Sequence, residues 1–390
     1  VRYPRTGLDR DHGSKQRREI EMAAKELLAQ LHEVAANPRK QLDKYLAEGK
    51  KVVAVTYYTP QEIVHSMGLV PMGVWGADME INEAKKYYPA FICSIMQTIL
   101  ELGIKGEYKG ISAIIIPSLC DSLKTLGQNW KYAVKDIPFI PMTYPQNRKP
   151  DFGIKFTKAG YERVINDLTV ATGAHFSEFA LSESIKVYNE HNAAMRAFSE
   201  AAANADITAA ERSDVFKSAW FMLPEEHTAI VKELTAELLA GPKSTRTARV
   251  LVSGILADAP GMLKIFDDNG IQIVADDVAN ETRQYRTDTP EMTNPVDALA
   301  QKFANMDNCT LLYDKEKKRV DYIVEQAKAH DAKGIIVLMT KFCDPEEFDY
   351  VPIKRACEQA GLLNLNIEVD RQMVNYEQAA TMIQAFKEML

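Results

Sequence analysis

The sequence predicts an α/β chain with two parallel-sheet domains, an N-terminal helical segment and a helical connecting section between the sheets. Three observations carry that expectation. Ala113-Ile114-Ile115-Ile116-Pro117-Ser118-Leu119 leads into Cys120-Asp121, and Gly334-Ile335-Ile336-Val337-Leu338-Met339-Thr340-Lys341-Phe342 leads into Cys343-Asp344. Both runs are β-branched and apolar, like strands buried on two faces. Strand-like and helix-like stretches alternate over residues 50–156 and again over 246–390, the rhythm of βαβ units. A length of 390 residues also exceeds what one sheet core usually organises.

Residues 1–49 read as N-terminal helices: Met22, Leu27, Leu28, Leu31 and Val34 recur at helical spacing until Pro38 interrupts them. The first α/β domain, 50–156, opens with a strand at Lys51 to Thr56 and a turn at Tyr57 to Pro60. A helix at Gln61 to Met67 ends at Gly68, which is free to take positive φ. A strand at Leu69 to Trp75 follows, then a helix at Pro89 to Leu102 with Cys93 in its first turn. The strand before Cys120, a helix at Ser122 to Val134 and a strand at Pro138 to Met142 complete it. Over 157–245 the alternation stops, and Leu168, Val187, Met195, Phe198 and Phe216 sit in helical patterns, so this is the connecting section. The second α/β domain, 246–390, has strands at Ala248 to Ser253, Gln272 to Ala275, Gly334 to Met339 and Asn364 to Val369. Its helices are expected at Pro260 to Asp268, Lys315 to His330, Pro345 to Gln359 and Tyr376 to Met389.

Composition excludes several classes. The formal charge is −7, and the one basic stretch, Arg2 to Arg18, is interleaved with Asp9 and Asp11 and followed by Glu19. A nucleic-acid footprint needs a concentrated basic face, so no nucleic acid is expected, and the stretch reads as a solvated mixed-charge helix. No continuous apolar N-terminal segment resembles a signal peptide and no run is long enough to span a bilayer, so no membrane partner is expected. Five scattered cysteines are too few for a disulfide framework. The expected compartment is the cytoplasm, with reduced thiols. There is no P-loop motif and no G-x-G-x-x-G after a strand; Gly254 and Gly261 read as chain geometry. The seven histidines form no H-E-x-x-H, and His65, His191 and His227 fall in amphipathic helices. A G-x-S-x-G elbow is also missing.

The cysteines are the informative residues. Open α/β sheets bind ligands beyond the carboxyl ends of their strands, so Cys120 and Cys343 are expected at the functional edges of their sheets. Cys93, at a helix start, is a third candidate. Thiolates suit soft metals and iron–sulfur clusters, and three converging thiols would place such a centre in the cleft between domains. Three protein ligands would leave one iron with a position for water, substrate or an added sulfur. Free cysteine otherwise packs as a small hydrophobe, the reading given to Cys309 and Cys357. Glu346 and Glu347 favour a helix N-terminus.

The motifs also carry a resemblance. Pro60-Gln61-Glu62-Ile63-Val64-His65-Ser66-Met67-Gly68-Leu69-Val70-Pro71, Pro89-Ala90-Phe91-Ile92-Cys93-Ser94 and Leu119-Cys120-Asp121-Ser122 belong to it. So do Gly127-Gln128-Asn129-Trp130, Pro145-Gln146-Asn147-Arg148-Lys149, Ala275-Asp276-Asp277, Glu281-Thr282-Arg283-Gln284 and Lys341-Phe342-Cys343-Asp344-Pro345-Glu346-Glu347. From about residue 50 to the end, the chain resembles the 2-hydroxyacyl-CoA dehydratase family. It looks most like the smaller, β-type subunit of heterodimeric enzymes such as 2-hydroxyisocaproyl-, phenyllactyl- and lactoyl-CoA dehydratases. Tyr144 departs from the pattern, since related chains tend to have His there.

The resemblance implies two flavodoxin-like domains and one 4Fe-4S cluster per chain, ligated by Cys93, Cys120 and Cys343. It implies an α-type dehydratase subunit with its own cluster, a transient ATP-dependent iron–sulfur activator, and an anaerobic setting of amino-acid fermentation. The implied activity is that of a hydro-lyase taking an (R)-2-hydroxyacyl-CoA to the (E)-2-enoyl-CoA. The β-hydrogen is hardly acidic, so the family injects one electron into the thioester carbonyl. The ketyl radical anion expels the α-hydroxyl, the β-hydrogen becomes acidic, and the electron is recovered. The acyl-CoA substrate is placed on the α-type subunit, leaving this chain's cluster as an electron relay whose fourth ligand is a non-protein sulfur. No catalytic residue is assigned to this chain; Glu62 and Gln128 read as helix-surface and turn residues. Two alternatives stand beside this reading. One is a subunit of a related ATP-dependent reductase of the benzoyl-CoA or double-cubane type. The other is a metal-free α/β assembly module.

Overall fold

The structure is a computed structural model that describes residues 8–390, with side chains described from residue 22 onward. The side chains of the mixed-charge stretch Arg2 to Arg18 lie outside the described residues. Two helices open the chain, α1 (Leu8–Ala36) and α2 (Pro38–Ala47). They are broken at Asn37, because Pro38 fits a first helical turn but not a helix interior.

The first sheet contains β1 (Val52–Val55), β2 (Val70–Gly73), β3 (Ile111–Pro117) and β4 (Phe139–Met142), all parallel, in the order β2-β1-β3-β4. Its helices are α3 (Gln61–Ser66), α4 (Ser94–Ile104) and α5 (Asp121–Ala133). Ile114 and Ile115 are fully buried, each contributing roughly 1.5–3 kcal/mol of transfer free energy. The helical section follows as α6 (Asp151–Thr172), α7 (Glu178–Ala202), α8 (Ala209–Ala219) and α9 (Pro224–Ala240). Helix α8 begins with a capping box in which Thr208 and Glu211 satisfy each other's backbone N–H groups.

The second sheet repeats the first. It contains β5 (Ala248–Gly254), β6 (Ile271–Val278), β7 (Gly334–Thr340) and β8 (Leu363–Val369), parallel, in the order β6-β5-β7-β8. Around it lie α10 (Pro260–Asp268), α12 (Lys318–Ala329), α13 (Asp344–Ala360) and α14 (Glu377–Met389), whereas α11 (Pro295–Asn305) packs against α6 and α7 and joins the core of the first sheet. Gly254 ends β5 at φ 158°, where a Cβ would stand 2.6 Å from the Leu338 carbonyl oxygen, so only glycine lets β7 approach. In each sheet the chain runs outward from the first strand to its neighbour, then returns to the other side. The points where direction reverses lie between β1 and β3 and between β5 and β7, where a doubly wound sheet opens its ligand crevice. Two α/β units with a helical section between them in sequence are thus what the alternation predicted.

Three details differ from the sequence expectation. Strand β6 runs on to Val278 rather than stopping at Ala275, because Asp276 and Asp277 are paired with arginines inside the protein. Helix α4 starts at Ser94, after Cys93 instead of before it. Helix α11 was not anticipated, although Asn294 caps it by accepting from the Val296 and Asp297 N–H groups.

The two α/β units are joined by buried polar contacts. Arg371, after β8, pairs with Asp258 of its own unit (3.0 Å) and donates across to Asp78 (2.9 Å) and the Trp75 carbonyl (3.2 Å), and its backbone N–H donates to Ser94 Oγ at 3.1 Å. Arg148, after β4, donates to the Tyr313 carbonyl at 2.8 Å and to Asp307 at 2.9 Å. Among the described residues no helix is long and apolar enough to cross a membrane.

Candidate functional site

A cavity of about 720 Å³ lies beyond the carboxyl ends of both sheets. Its wall takes Thr56 and Tyr57 from the end of β1, Val74 and Trp75 from β2, Leu119 to Lys124 from β3 and Gln146 from the segment after β4. The second sheet contributes Ile255, Thr310 to Asp314, Lys315, Lys317 and Phe342 to Pro345 with Phe348. Cys93, Cys120 and Cys343 all line it. The structure therefore brings together the three thiols that the sequence singled out, two from the first unit and one from the second.

Each thiol occupies the same kind of position. Cys93 is the residue preceding α4, Cys120 precedes α5 and Cys343 precedes α13. At Cys120 the Leu123 N–H donates to the sulfur at 3.5 Å, while at Cys93 and Cys343 the nearby first-turn N–H groups of Ile95, Met96 and Glu346 act to lower the thiol without a cap hydrogen bond. Three helix N-termini thus aim partial positive charge at one space, which favours anionic sulfur. Burial works against this and pushes the Cys93 thiol up to about 12, with Cys120 and Cys343 also raised by burial. Charge repulsion adds to it: Cys120 raises Cys93, and Glu346, then Cys93 and Cys120, raise Cys343. Such thiols become thiolates only against a strong positive charge, the condition a bound metal supplies.

The backbone before Cys343 is strained. Phe342 has φ 62°, unusual for a bulky aromatic and costing about 1–3 kcal/mol. Trp75, on the cavity wall, leaves its indole N–H without a partner. Its ring meets Tyr57 (5.7 Å between centroids) and Trp220 (5.0 Å). Among the described residues no three His, Cys, Asp or Glu side chains gather closely enough for a single metal ion. A polynuclear cluster differs in kind, since each iron takes its own thiolate and the ligands stand around a larger body.

Other candidates resolve differently. Cys357 is fully buried in the core under α13, as the packing reading expects. Cys309 is buried too, but its sulfur lies 3.7 Å from the Tyr57 hydroxyl and 3.8 Å from Arg283 Nη1, so it is no ordinary packed thiol. Glu62 is not on the surface: it is 4% exposed and ion-paired with Lys302 at 2.6 Å. Glu62 lines a separate cavity of about 70 Å³, together with Tyr144, Tyr161 and His191. Gln128 is exposed on α5, and neither residue faces the thiol cavity. Tyr144 donates to the Tyr58 carbonyl at 2.6 Å and stacks on Phe303 at 3.9 Å. His65 bonds Ser184 and Glu225, while His191 and His227 bond each other at 3.1 Å in full burial.

The feature missed from sequence is a buried ionic network on the second-sheet side. Arg283, Arg286 and Arg319 meet Asp277, Glu346 and Asp349, with Lys317 at the rim. Burial opposes ionisation of Asp277, but Arg283, Arg319 and Arg286 outweigh it and hold the carboxyl well below its usual range. The available signal was Asp276-Asp277 at the end of an apolar run, where unpaired charge could not stay.

The chain is 47% identical to an (R)-phenyllactyl-CoA dehydratase beta subunit from Clostridium sporogenes over 92% of its own length and 97% of the relative's. It is 42% identical to the beta subunit of a lactoyl-CoA dehydratase from Anaerotignum propionicum, covering 93% and 98%. One subunit of a benzoyl-CoA reductase from Thauera aromatica is more distant, at 26% identity over 80% and 83%. The family model described as 2-hydroxyglutaryl-CoA dehydratase, D-component, matches residues 56–390, and with three thiols at one cavity between two matching sheets the chain belongs to that family.

Proposed function

We propose that this chain is the β-type subunit of a heterodimeric iron–sulfur (R)-2-hydroxyacyl-CoA dehydratase. The carrying observation is the convergence of Cys93, Cys120 and Cys343, from two sheets and three helix starts, on one cavity. The donor set fits a 4Fe-4S cluster: three soft ligands, each at a helix N-terminus, and an unpartnered indole N–H on the wall. The cluster would supply reversible one-electron transfer, while the substrate-level reaction is loss of water from the thioester by way of a ketyl radical anion.

The chain's own residues do the holding. Cys93, Cys120 and Cys343 bind, Arg371 and Arg148 keep the two sheets in register, and Trp75, Tyr57 and Met96 exclude water. Relatives described as beta subunits support an α-type partner, and an ATP-dependent activator completes the scheme. The five free cysteines support a reducing, cytoplasmic setting.

Anaerobic purification with the α-type partner, followed by iron and sulfide analysis and turnover of 2-hydroxyacyl-CoA thioesters with activator, tests this. Cysteine-dependent iron and (E)-2-enoyl-CoA product are expected; an iron-free chain sinks the reading. The reductase relative favours one rival, a reductase subunit. Reduction of an acyl-CoA without loss of water, or about eight irons in this chain by the double-cubane pattern, would select that instead.

A further inference from the structure

The connection from β2 to β3 carries Cys93, and its counterpart from β6 to β7 carries Arg283. The Arg283 side chain is fully buried. It donates to the carbonyls of Gly254 (3.1 Å) and Asp277 (2.6 Å), which places it across the carboxyl ends of β5 and β6. It also reaches Glu346 Oε1 at 3.3 Å. Glu346 lies in the first turn of α13, three residues after Cys343, and Arg319 holds its other side at 2.9 Å. On its remaining face Arg283 meets Cys309, which touches Tyr57, a residue of the cavity wall.

Buried ion networks pay a desolvation penalty that apolar packing would avoid. The first sheet presents Cys120 beside an exposed ion pair, Asp121 with Lys124 at 3.1 Å, so the fold does not require a buried network to present a thiol. What the network adds is fixed charge of both signs, within one side chain of the cavity, at the start of the helix that carries Cys343. In a water-poor site such charge acts at longer range than it would in solvent.

We propose that Arg283 and Glu346 are paired positioning residues: Glu346, clamped by Arg283, fixes Cys343, and the opposed charges of the pair set how readily a centre in the cavity accepts an electron. This rests on the reading that the cavity holds an iron–sulfur centre. Removing the cation disfavours the more negative, reduced state, and removing the carboxylate favours it.

The test is a redox titration of the anaerobic complex, followed by the cluster's electron paramagnetic resonance signal, with iron content measured on each sample. R283M is expected to lower the midpoint potential, E346Q to raise it, and R283K to stay nearer the wild type than R283M. Simple loosening of α13 would move R283M and E346Q in the same direction. Shifts of one sign, or unchanged potentials in iron-loaded variants, overturn this proposal alone. An iron-free wild-type complex overturns the underlying reading and this one with it. If R283M does not fold by circular dichroism, the isosteric E346Q decides, and an upward shift supports the pair while no upward shift overturns it.

Discussion

Past the strand ends of the first sheet stand Thr56, Tyr57, Val74, Trp75 and Leu119, neutral side chains that close the cavity by packing. At the corresponding edge of the second sheet stand Ser253, Asp277, Arg283, Arg319 and Glu346, all buried and mutually bonded. The strand orders match and each edge leads into a helix headed by cysteine. The difference lies in how the helix start is secured. In the first sheet α5 is held by apolar burial, with Leu123, Leu126 and Trp130 at 3% exposure or less. In the second, α13 has only Glu346, Asp349, Ile353 and Cys357 buried, so ion pairs do what packing does elsewhere. A repeated fold can therefore present the same ligand atom from two different electrostatic settings.

The largest expected effect would erase that difference. Cys120→Ser and Cys343→Ser should each lose the iron and the dehydratase activity of the complex, although one residue lies on the edge closed by packing and the other on the ionic edge. Cys357→Ser, on α13 but away from the cavity, should keep both. Iron analysis of the purified complexes checks this, and full iron in either of the first two variants would remove that cysteine from the ligand set.

The joint between the halves comes next. Arg371 is buried with Asp258, which is also held at 2.9 Å in the ion pair. Arg371→Ala leaves that carboxylate buried without its partner, a loss of about 3–5 kcal/mol. Adding Asp258→Asn should recover part of it, because the residual charge is gone. Chemical denaturation measures both, and a loss below about 1 kcal/mol would mean that the Arg371–Asp258 pair is not what stabilises this corner of the second unit.

The parts of this arrangement that were legible in the sequence follow from local physics. Runs such as Ala113 to Ile116 are too apolar and too short for anything but buried strands, and cysteine directly after them fixes its place at a sheet edge. Long-range pairing left no such trace. Asp276 and Asp277 read as the end of a strand because a charged pair normally marks solvent. Their partners Arg212, Arg283 and Arg319 are spread over more than a hundred positions. Cys309 read as a packed thiol for the same reason, since nothing beside it announces Tyr57 or Arg283. Glu62 has the local pattern of a surface residue on a short helix, and its partner Lys302 lies far along the chain. Helix α11 did carry a local signal in Asn294-Pro295, a cap followed by a proline in the first turn, but no strand or thiol adjoins it to draw attention there.

Acid sharpens the contrast at the smallest scale. The carboxylates of the second edge are held ionised by arginines, so Asp277 contributes its full stability above its unfolded value of 3.8 and loses it progressively as pH falls from there toward its depressed folded-state value. The helical section responds in the same direction, but at higher pH. His227 Nε2 donates to the Val215 carbonyl at 3.0 Å, so its Nδ1 must accept from His191 Nε2, and both rings are buried neutral. Burial lowers His227 from 6.5 to about 4. Between those values the unfolded chain binds a proton that the folded chain refuses, so stability rises with pH and is lost on acidification. At pH 5 the gap of 1.5 units below the unfolded value of 6.5 corresponds to about 2 kcal/mol from this residue. His227→Gln can still donate to Val215 and accept from His191 but cannot titrate. Its stability, followed by denaturation from pH 7 to pH 5, should therefore fall less steeply than the wild type's. An equal slope would mean that the imidazole is already protonated in the folded chain and that the weak point in acid lies at the ionic edge instead.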